Sequence, residues 1–254
     1  MILYFTGTGN SKYAADVIGH ELNDEVISIN DIIKNNRKLK FHSEKPFVIT
    51  APIHAWRFPE VVEKFILNAE FIGNKQIYFV ATMVSQTGNC NNYCKDICNK
   101  KNLIFKGFSG VPMPDNYVIS DIMPDEITVK EILKKAEPVF KEIAKKILAE
   151  EMIEKRDKTP AAWFLSGLVN TAFKKFYMNS KNFIVSDNCI SCGKCEKICS
   201  MNNIKMNEGK PIFNDSCISC YACIHHCPKE AINIKGKTEG HGRYLCPSYS
   251  NITK

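Results

Sequence analysis

Long apolar runs are the first thing this sequence lacks. Nowhere in its 254 residues does an uninterrupted apolar stretch approach the roughly 18 residues that a transmembrane helix needs, so no membrane-spanning segment is expected. Met1-Ile-Leu-Tyr-Phe runs straight into a glycine turn with neither a basic start nor a cleavage site, so no signal peptide is expected and the chain reads as cytoplasmic. The Gly-Lys-Ser/Thr ending of a Walker loop is missing, and so is a Gly-x-Gly-x-x-Gly dinucleotide fingerprint. Those absences argue against P-loop nucleotide chemistry and against a pyridine nucleotide as direct electron donor. What remains is an ordinary well-cored composition, 44% hydrophobic and 24% charged.

Cysteine is what the chain has in excess. It carries 12, and eight of them fall between Cys189 and Cys227. A secreted disulfide framework normally comes with a leader and a small chain, so ligation of metal in a reducing compartment fits better. The formal charge of +7 invites a nucleic-acid reading. A four-iron cluster with its thiolates carries about −2, and two such clusters with one bound phosphate group at about −2 would bring the total to about +1, so no nucleic-acid partner is inferred.

The first 120 residues alternate strand and helix patterns. Met1–Phe5, Val26–Ile29, Pro46–Ile49, Gln76–Thr82 and Asn102–Phe105 are the candidate strands, and Asn10–Leu22, Pro59–Ala69 and Gly88–Lys100 are the clearest helices. This alternation predicts an α/β, doubly wound parallel sheet of flavodoxin-like order, covered on both faces. Asp125–Glu151 reads as an amphipathic helix, with Thr128 and Glu131 as a capping box and Pro138 as a kink or break. After a charged break at 154–160, Ala161–Met178 is a second helical segment rich in Trp, Phe and Leu; it reads either as a bridge between domains or as a surface membrane anchor, with the bridge preferred. Then Asp187-Asn-Cys-Ile-Ser-Cys reappears as Asp215-Ser-Cys-Ile-Ser-Cys, and Ile204 as Ile232, which marks a duplicated half-domain. The expected division is 1–153 as the flavodoxin-like domain, 154–182 as a helical linker, and 183–254 as a small α+β cluster domain with a tail.

The duplicated unit carries Cys189-x2-Cys192-x2-Cys195-x3-Cys199 and Cys217-x2-Cys220-x2-Cys223-x3-Cys227-Pro228. Three thiolates at two-residue intervals wrap one face of a cubane, and the fourth of each run ligates the other cluster. One [4Fe-4S] set is thus Cys189, Cys192, Cys195 and Cys227; the second is Cys217, Cys220, Cys223 and Cys199. Zinc would call for two ligand pairs separated by a long spacer.

At the other end, Thr6-Gly7-Thr8-Gly9-Asn10-Ser11 lies between a strand and a helix start. Gly7 and Gly9 let backbone N–H groups close on an anion, and Thr6, Thr8 and Ser11 supply hydroxyls at the positive end of the helix. A plain βα turn is the alternative; phosphate binding is preferred.

The cysteine runs resemble those of bacterial two-cluster ferredoxins, and the N-terminal loop resembles the flavin mononucleotide (FMN) phosphate loop of flavodoxins. Together they resemble the flavodoxin–ferredoxin fusion family known as EFR-type ferredoxins, over nearly the whole chain. Pro52-Ile-His-Ala-Trp56, Met113-Pro-Asp-Asn-Tyr117 and the Gly236–Tyr244 segment also look like family segments. The resemblance implies that Thr6 to Ser11 hold the FMN phosphate, that Pro52, Ile53, His54, Ala55 and Trp56 flank the ring, and that Thr82 to Asn89, Gly88 included, form the third loop. The chain departs from the pattern at His54, where tyrosine is expected, at Arg57, where glycine is usual, at Met83–Gln86, and at Ser200 in place of proline. Trp56 either stacks on a flavin or caps the sheet edge, and Arg57 would favour an anionic reduced flavin.

The function so implied is electron transfer between FMN, two [4Fe-4S] clusters and a redox partner: a ferredoxin, a hydrogenase or a flavoprotein reductase, in an anaerobe's cytoplasm. Two alternatives stand beside it, a flavin-dependent reductase of a small substrate and a ferredoxin with a flavin-free docking domain. Cys90, Cys94 and Cys98 stripe one helix and read as core packing, with redox sensing as the alternative. Cys246 is surplus to the ligand count. His225 and His226 are expected to tune cluster polarity, Tyr221 to help seal a cluster, and Arg243-Tyr244 to pin the tail back onto the first domain.

Overall fold

The computed structural model describes residues 1–120 and 123–250. Elements run in the order β1 (Ile2–Tyr4), α1 (Asn10–Leu22), β2 (Val26–Ser28), α2 (Ile29–Lys34), β3 (Lys40–Ser43), β4 (Phe47–Pro52), α3 (Glu60–Asn68), β5 (Glu70–Gly73), β6 (Gln76–Met83), α4 (Cys90–Lys101), β7 (Ile104–Pro112) and α5 (Glu126–Leu148). Five strands pair in the order β2-β1-β4-β6-β7, all parallel. The inner strands are nearly continuous apolar runs, because a parallel sheet is buried on both faces. On one face Phe5, Phe47, Phe79 and Phe108 pack with α3 and α4; on the other Ile2, Tyr78 and Val80 pack with α1 and α5. Cys90, Cys94 and Cys98 lie fully buried in the first of these cores, where α4 meets the sheet.

Several local expectations are corrected. β7 runs on to Pro112, past the expected end at Phe105, because Phe108 and Val111 continue the buried register beside β6. α2 and the parallel pair β3–β5 were not signalled by periodicity. α5 begins three residues before the expected box: Asp125 accepts from the Thr128 N–H, so Asp125, not Thr128, is the cap. Pro138 leaves α5 undivided, since Phe140, Ile143 and Ile147 bury the following turns against the sheet.

Ile153 donates its N–H to Lys106 O and lies against Gly107, whose φ of 114° leaves no room for a Cβ there. Past that last tie to the sheet, α6 (Ala162–Phe164), a π-helical stretch (Leu165–Val169) and α7 (Asn170–Tyr177) form one rod. The cluster domain follows with β8 (Phe183–Val185), α8 (Lys194–Ile198), β9 (Ile204–Asn207), β10 (Lys210–Phe213), α9 (Ala222–His225) and β11 (Ile232–Ile234), with α10 (Pro247–Ser250) in the tail. β9 pairs β10 and β8 pairs β11, both antiparallel. Each half of the duplication thereby contributes one short helix that carries its third cysteine, Cys195 in α8 and Cys223 in α9.

Candidate functional site

The eight repeated cysteines form two sockets. Cys189, Cys192, Cys195 and Cys227 surround one small cavity, and Cys199, Cys217, Cys220 and Cys223 surround another. The αL turns at Ser191, Gly193, Ser219 and Tyr221 fold each Cys-x2-Cys run inward. Backbone N–H groups of Asn203, Ser219 and Ala231 donate to the sulfurs of Cys199, Cys217 and Cys227 at 3.3, 3.4 and 3.2 Å. Among the described residues no three His, Cys, Asp or Glu side chains converge on a single-ion site. The sulfurs are spread round a volume, as a polynuclear cluster requires and a lone zinc does not. Burial pushes the Cys195 thiol up to about 11 and the Cys220 thiol up to about 12, so these sulfurs hold thiolate charge only opposite a cation. The first socket reaches the surface through the exposed Cys192, whereas the four cysteines of the second are all half-buried.

A larger cavity of about 430 Å³ opens at the C-terminal edge of the parallel sheet, where the switch between β1 and β4 leaves a crevice. Thr6, Gly7, Asn10 and Ser11 form its polar end. α1 starts there with no side-chain cap and no acidic residue in its first turn, and among the described residues the N–H groups of Gly7 and Thr8 meet no protein acceptor. Buried donors of that kind, at a helix N-terminus, suit an anion. Pro52 to Trp56, with Ala55 and Trp56 both in the left-handed region, and Thr82 to Val84 form the flank. Burial lowers the His54 imidazole to about 4, so the ring in that wall is neutral at pH 7.

Not every expected residue reaches the cavity. Thr8 and Gly9 stand behind the loop: Gly9 N–H donates to Thr6 Oγ1, and Thr8 Oγ1 accepts from Asn116 Nδ2 at 2.7 Å. Gly88 and Asn89 face the linker instead, held by Thr159 and Ser166 Oγ, and a Cβ at Gly88 would strike Trp56 and Ser166. Arg57 turns away from the cavity altogether. It forms a two-pronged pair with Glu63 and stacks 3.6 Å from the Tyr93 ring centre, so it is no partner for a flavin anion.

Other lining residues come from far along the chain. Asn116 and Tyr117 follow β7, Phe173 and Met178 belong to the rod and its end, and Ser219, Cys220 and Tyr221 belong to the cluster domain. Cys220 and Tyr221 also line the second socket, so one stretch of chain separates socket from cavity. Gly7 shows how tight this closure is: a Cβ there would lie 2.6 Å from Cys220 O. In the sequence the 113–117 segment is signalled only by its family resemblance, and nothing signals the rod residues as part of the cavity.

Hydrogen bonds lock the closure. His225 accepts at Nδ1 from the Tyr244 N–H, which puts its own proton on Nε2, and that nitrogen donates to Asn116 O at 2.9 Å. Tyr244 Oη donates to Asn10 Oδ1 at 2.7 Å, and Cys246 N–H donates to Thr8 O. The tail is thus strapped across the back of the glycine loop by Tyr244 and Cys246, whereas Arg243 stays within the cluster domain on Asn233. The rod bridges the same regions: Ser166 and Asn170 bond the carbonyls of residues 54–56, and Tyr177 O accepts from Ser219 Oγ.

An anion-ready loop beside an aromatic cavity, next to four-sulfur sockets, defines an iron–sulfur flavoprotein of electron transfer. Residues 1–107 match the flavodoxin domain model and residues 188–232 match the 4Fe-4S dicluster domain model. The chain joins a flavodoxin domain to a ferredoxin-type cluster domain, and its parallel sheet is flavodoxin-like. Among solved structures it is similar to the Trp repressor binding protein of Bacillus subtilis (16% identity, 58% of this chain and 97% of that one, TM-score 0.38). It is also similar to the rubredoxin oxygen:oxidoreductase of the anaerobe Desulfovibrio gigas (8%, 58% and 36%, TM-score 0.29) and to a flavone reductase (13%, 91% and 85%, TM-score 0.35). No curated protein matches the sequence significantly.

Proposed function

We propose that this protein carries FMN and two [4Fe-4S] clusters and passes electrons between them and a redox protein partner in the cytoplasm. One observation carries the reading: the Cys220–Tyr221 stretch is at once a wall of the cavity and a wall of the second socket. The donors fit both groups. Thr6, Gly7, Asn10 and Ser11 would hold the phosphate, Trp56 and Tyr117 the ring, and the two cysteine quartets the clusters. When bound, the flavin exchanges electrons singly or in pairs and each cluster singly, which makes the chain a two-to-one electron converter.

The protein's own contribution is order and exclusion. The second socket stands beside the cavity and the first opens at the surface through Cys192, so the first is the natural face for the partner. The strap through Tyr244 and His225 holds the glycine loop against the cluster domain and keeps solvent from its back. Anaerobic purification with iron, acid-labile sulfide and flavin counted per chain tests the proposal. About eight irons and about one FMN are expected; eight irons with no flavin after reconstitution would leave a ferredoxin with a repurposed module.

A further inference from the structure

The rod from Ala162 to Tyr177 is amphipathic in the wrong sense for a helix of a globular protein. Its polar side chains point inward. Ser166 and Asn170 are buried, with Ser166 bonded to Trp56 O and Asn89 N–H and Asn170 bonded to the carbonyls of His54 and Ala55. Its large apolar side chains point outward: Trp163 is 70% exposed, Leu168 66%, Phe176 65%, Tyr177 60% and Phe164 42%. Scattered exposed leucines need no explanation, but five large exposed side chains along one short rod are a concentration of the kind that marks an interaction face.

Charge says what covers it. From Lys158 to Ser186 the chain has four lysines, Lys158, Lys174, Lys175 and Lys181, and no Asp or Glu. Among the described residues only Lys174 of these is neutralised, by Glu60 of α3, while Lys175 extends beside the exposed Phe176 ring. A helix with Trp, Tyr, Phe and Leu outward, with Lys175 unopposed on it and Lys158 and Lys181 flanking its two ends, matches the interface of an anionic bilayer, where aromatic rings settle at headgroup depth and lysine stems reach to the phosphates. No helix among the described residues is long and apolar enough to cross a membrane, so the attachment is peripheral.

We infer that this face of the protein docks on an anionic lipid surface, with the rod lying in the plane of the headgroups. The inference stands on the rod alone and does not need FMN in the cavity. Its polar inward bonds hold the rod to residues 54–56, so the apolar face is presented by a fixed scaffold and does not have to fold on contact.

Flotation of the full cluster-loaded chain with vesicles tests it. Vesicles of phosphatidylcholine with about one third phosphatidylglycerol should carry the protein to the top of the gradient, and pure phosphatidylcholine far less. Raising salt should weaken the association, and Trp163→Ser with Phe176→Ser should reduce it at least tenfold while iron content and thermal midpoint stay unchanged. Lys175→Glu, which leaves the apolar side chains intact, should reduce binding to the anionic vesicles alone. Equal flotation of wild type and the double variant, or none by either, overturns the proposal. So does a wild-type dimer in solution that the double variant turns into a monomer, since the apolar face would then be covered by a second copy.

Discussion

The two cysteine sockets and the glycine-loop cavity are built by opposite strategies. A socket is written in a single short repeat: three sulfurs lie within seven residues of one another and the fourth arrives from the sister repeat. The cavity is assembled from six separate parts of the chain, the β1–α1 loop, the 52–56 loop, the 82–84 stretch, the 114–117 loop, the rod and the cluster domain. A locally encoded site tolerates change elsewhere in the molecule. A composite site inherits the stability of every contact that brings its parts together, so the cavity should be the more fragile of the two.

The largest effect that sharpens this contrast is expected from a residue shared by both. Cys220→Ala should remove about half of the roughly eight irons and also weaken flavin binding, whereas Cys192→Ala should remove a similar share of iron with flavin retained. Iron analysis with flavin titration reads both, and equal flavin loss in the two variants would break the distinction. Next comes Gly7→Ala, whose Cβ meets Cys220 O. It should force the domains apart at a cost of about 1–3 kcal/mol, read as a fall in flavin affinity of roughly tenfold to a hundredfold with both clusters intact.

Ser166→Ala strips partners from Asn89 N–H and Trp56 O, and should lower stability by about 1–3 kcal/mol in urea melts of the flavodoxin domain. Tyr244→Phe removes one bond to Asn10 and should speed flavin release about fivefold, with the iron count unchanged, for a loss of about 1 kcal/mol. The last prediction concerns pH. The His54 imidazole is lowered to about 4 by burial, so below the unfolded value of about 6.5 the unfolded chain takes up a proton that the folded chain refuses. Stability should therefore fall as pH drops from about 6.5 to about 4; His225 and His226, lowered to about 4 by burial in the same way, contribute to that slope, so His54→Phe should make it shallower without abolishing it.

What could be read in the sequence follows the same division. The cysteine spacing and the strand–glycine–helix junction at residues 1–12 are local, and both were legible. So was the five-strand sheet, because its inner strands are continuous apolar runs. The 113–117 segment was visible only as a resemblance, without its role as a wall. Nothing at Phe173, Met178 or Tyr221 announces that they meet over one cavity, since that depends on how the rod and cluster domain sit against residues 54–56. Arg57 was misread for the same reason: its partners Glu63 and Tyr93 come from α3 and α4, and no spacing rule points from one to the others.

The strap also sets a clock. Asn10 and Tyr244 are 234 residues apart, and a ribosome adding about 5–20 residues per second needs roughly 10–50 s to get from one to the other. For most of that interval the glycine loop has left the ribosome while the segment that closes over it has yet to be made. The first domain can therefore meet a cofactor as an open bowl, and the segment around Tyr244, made much later, turns the bowl into a closed box.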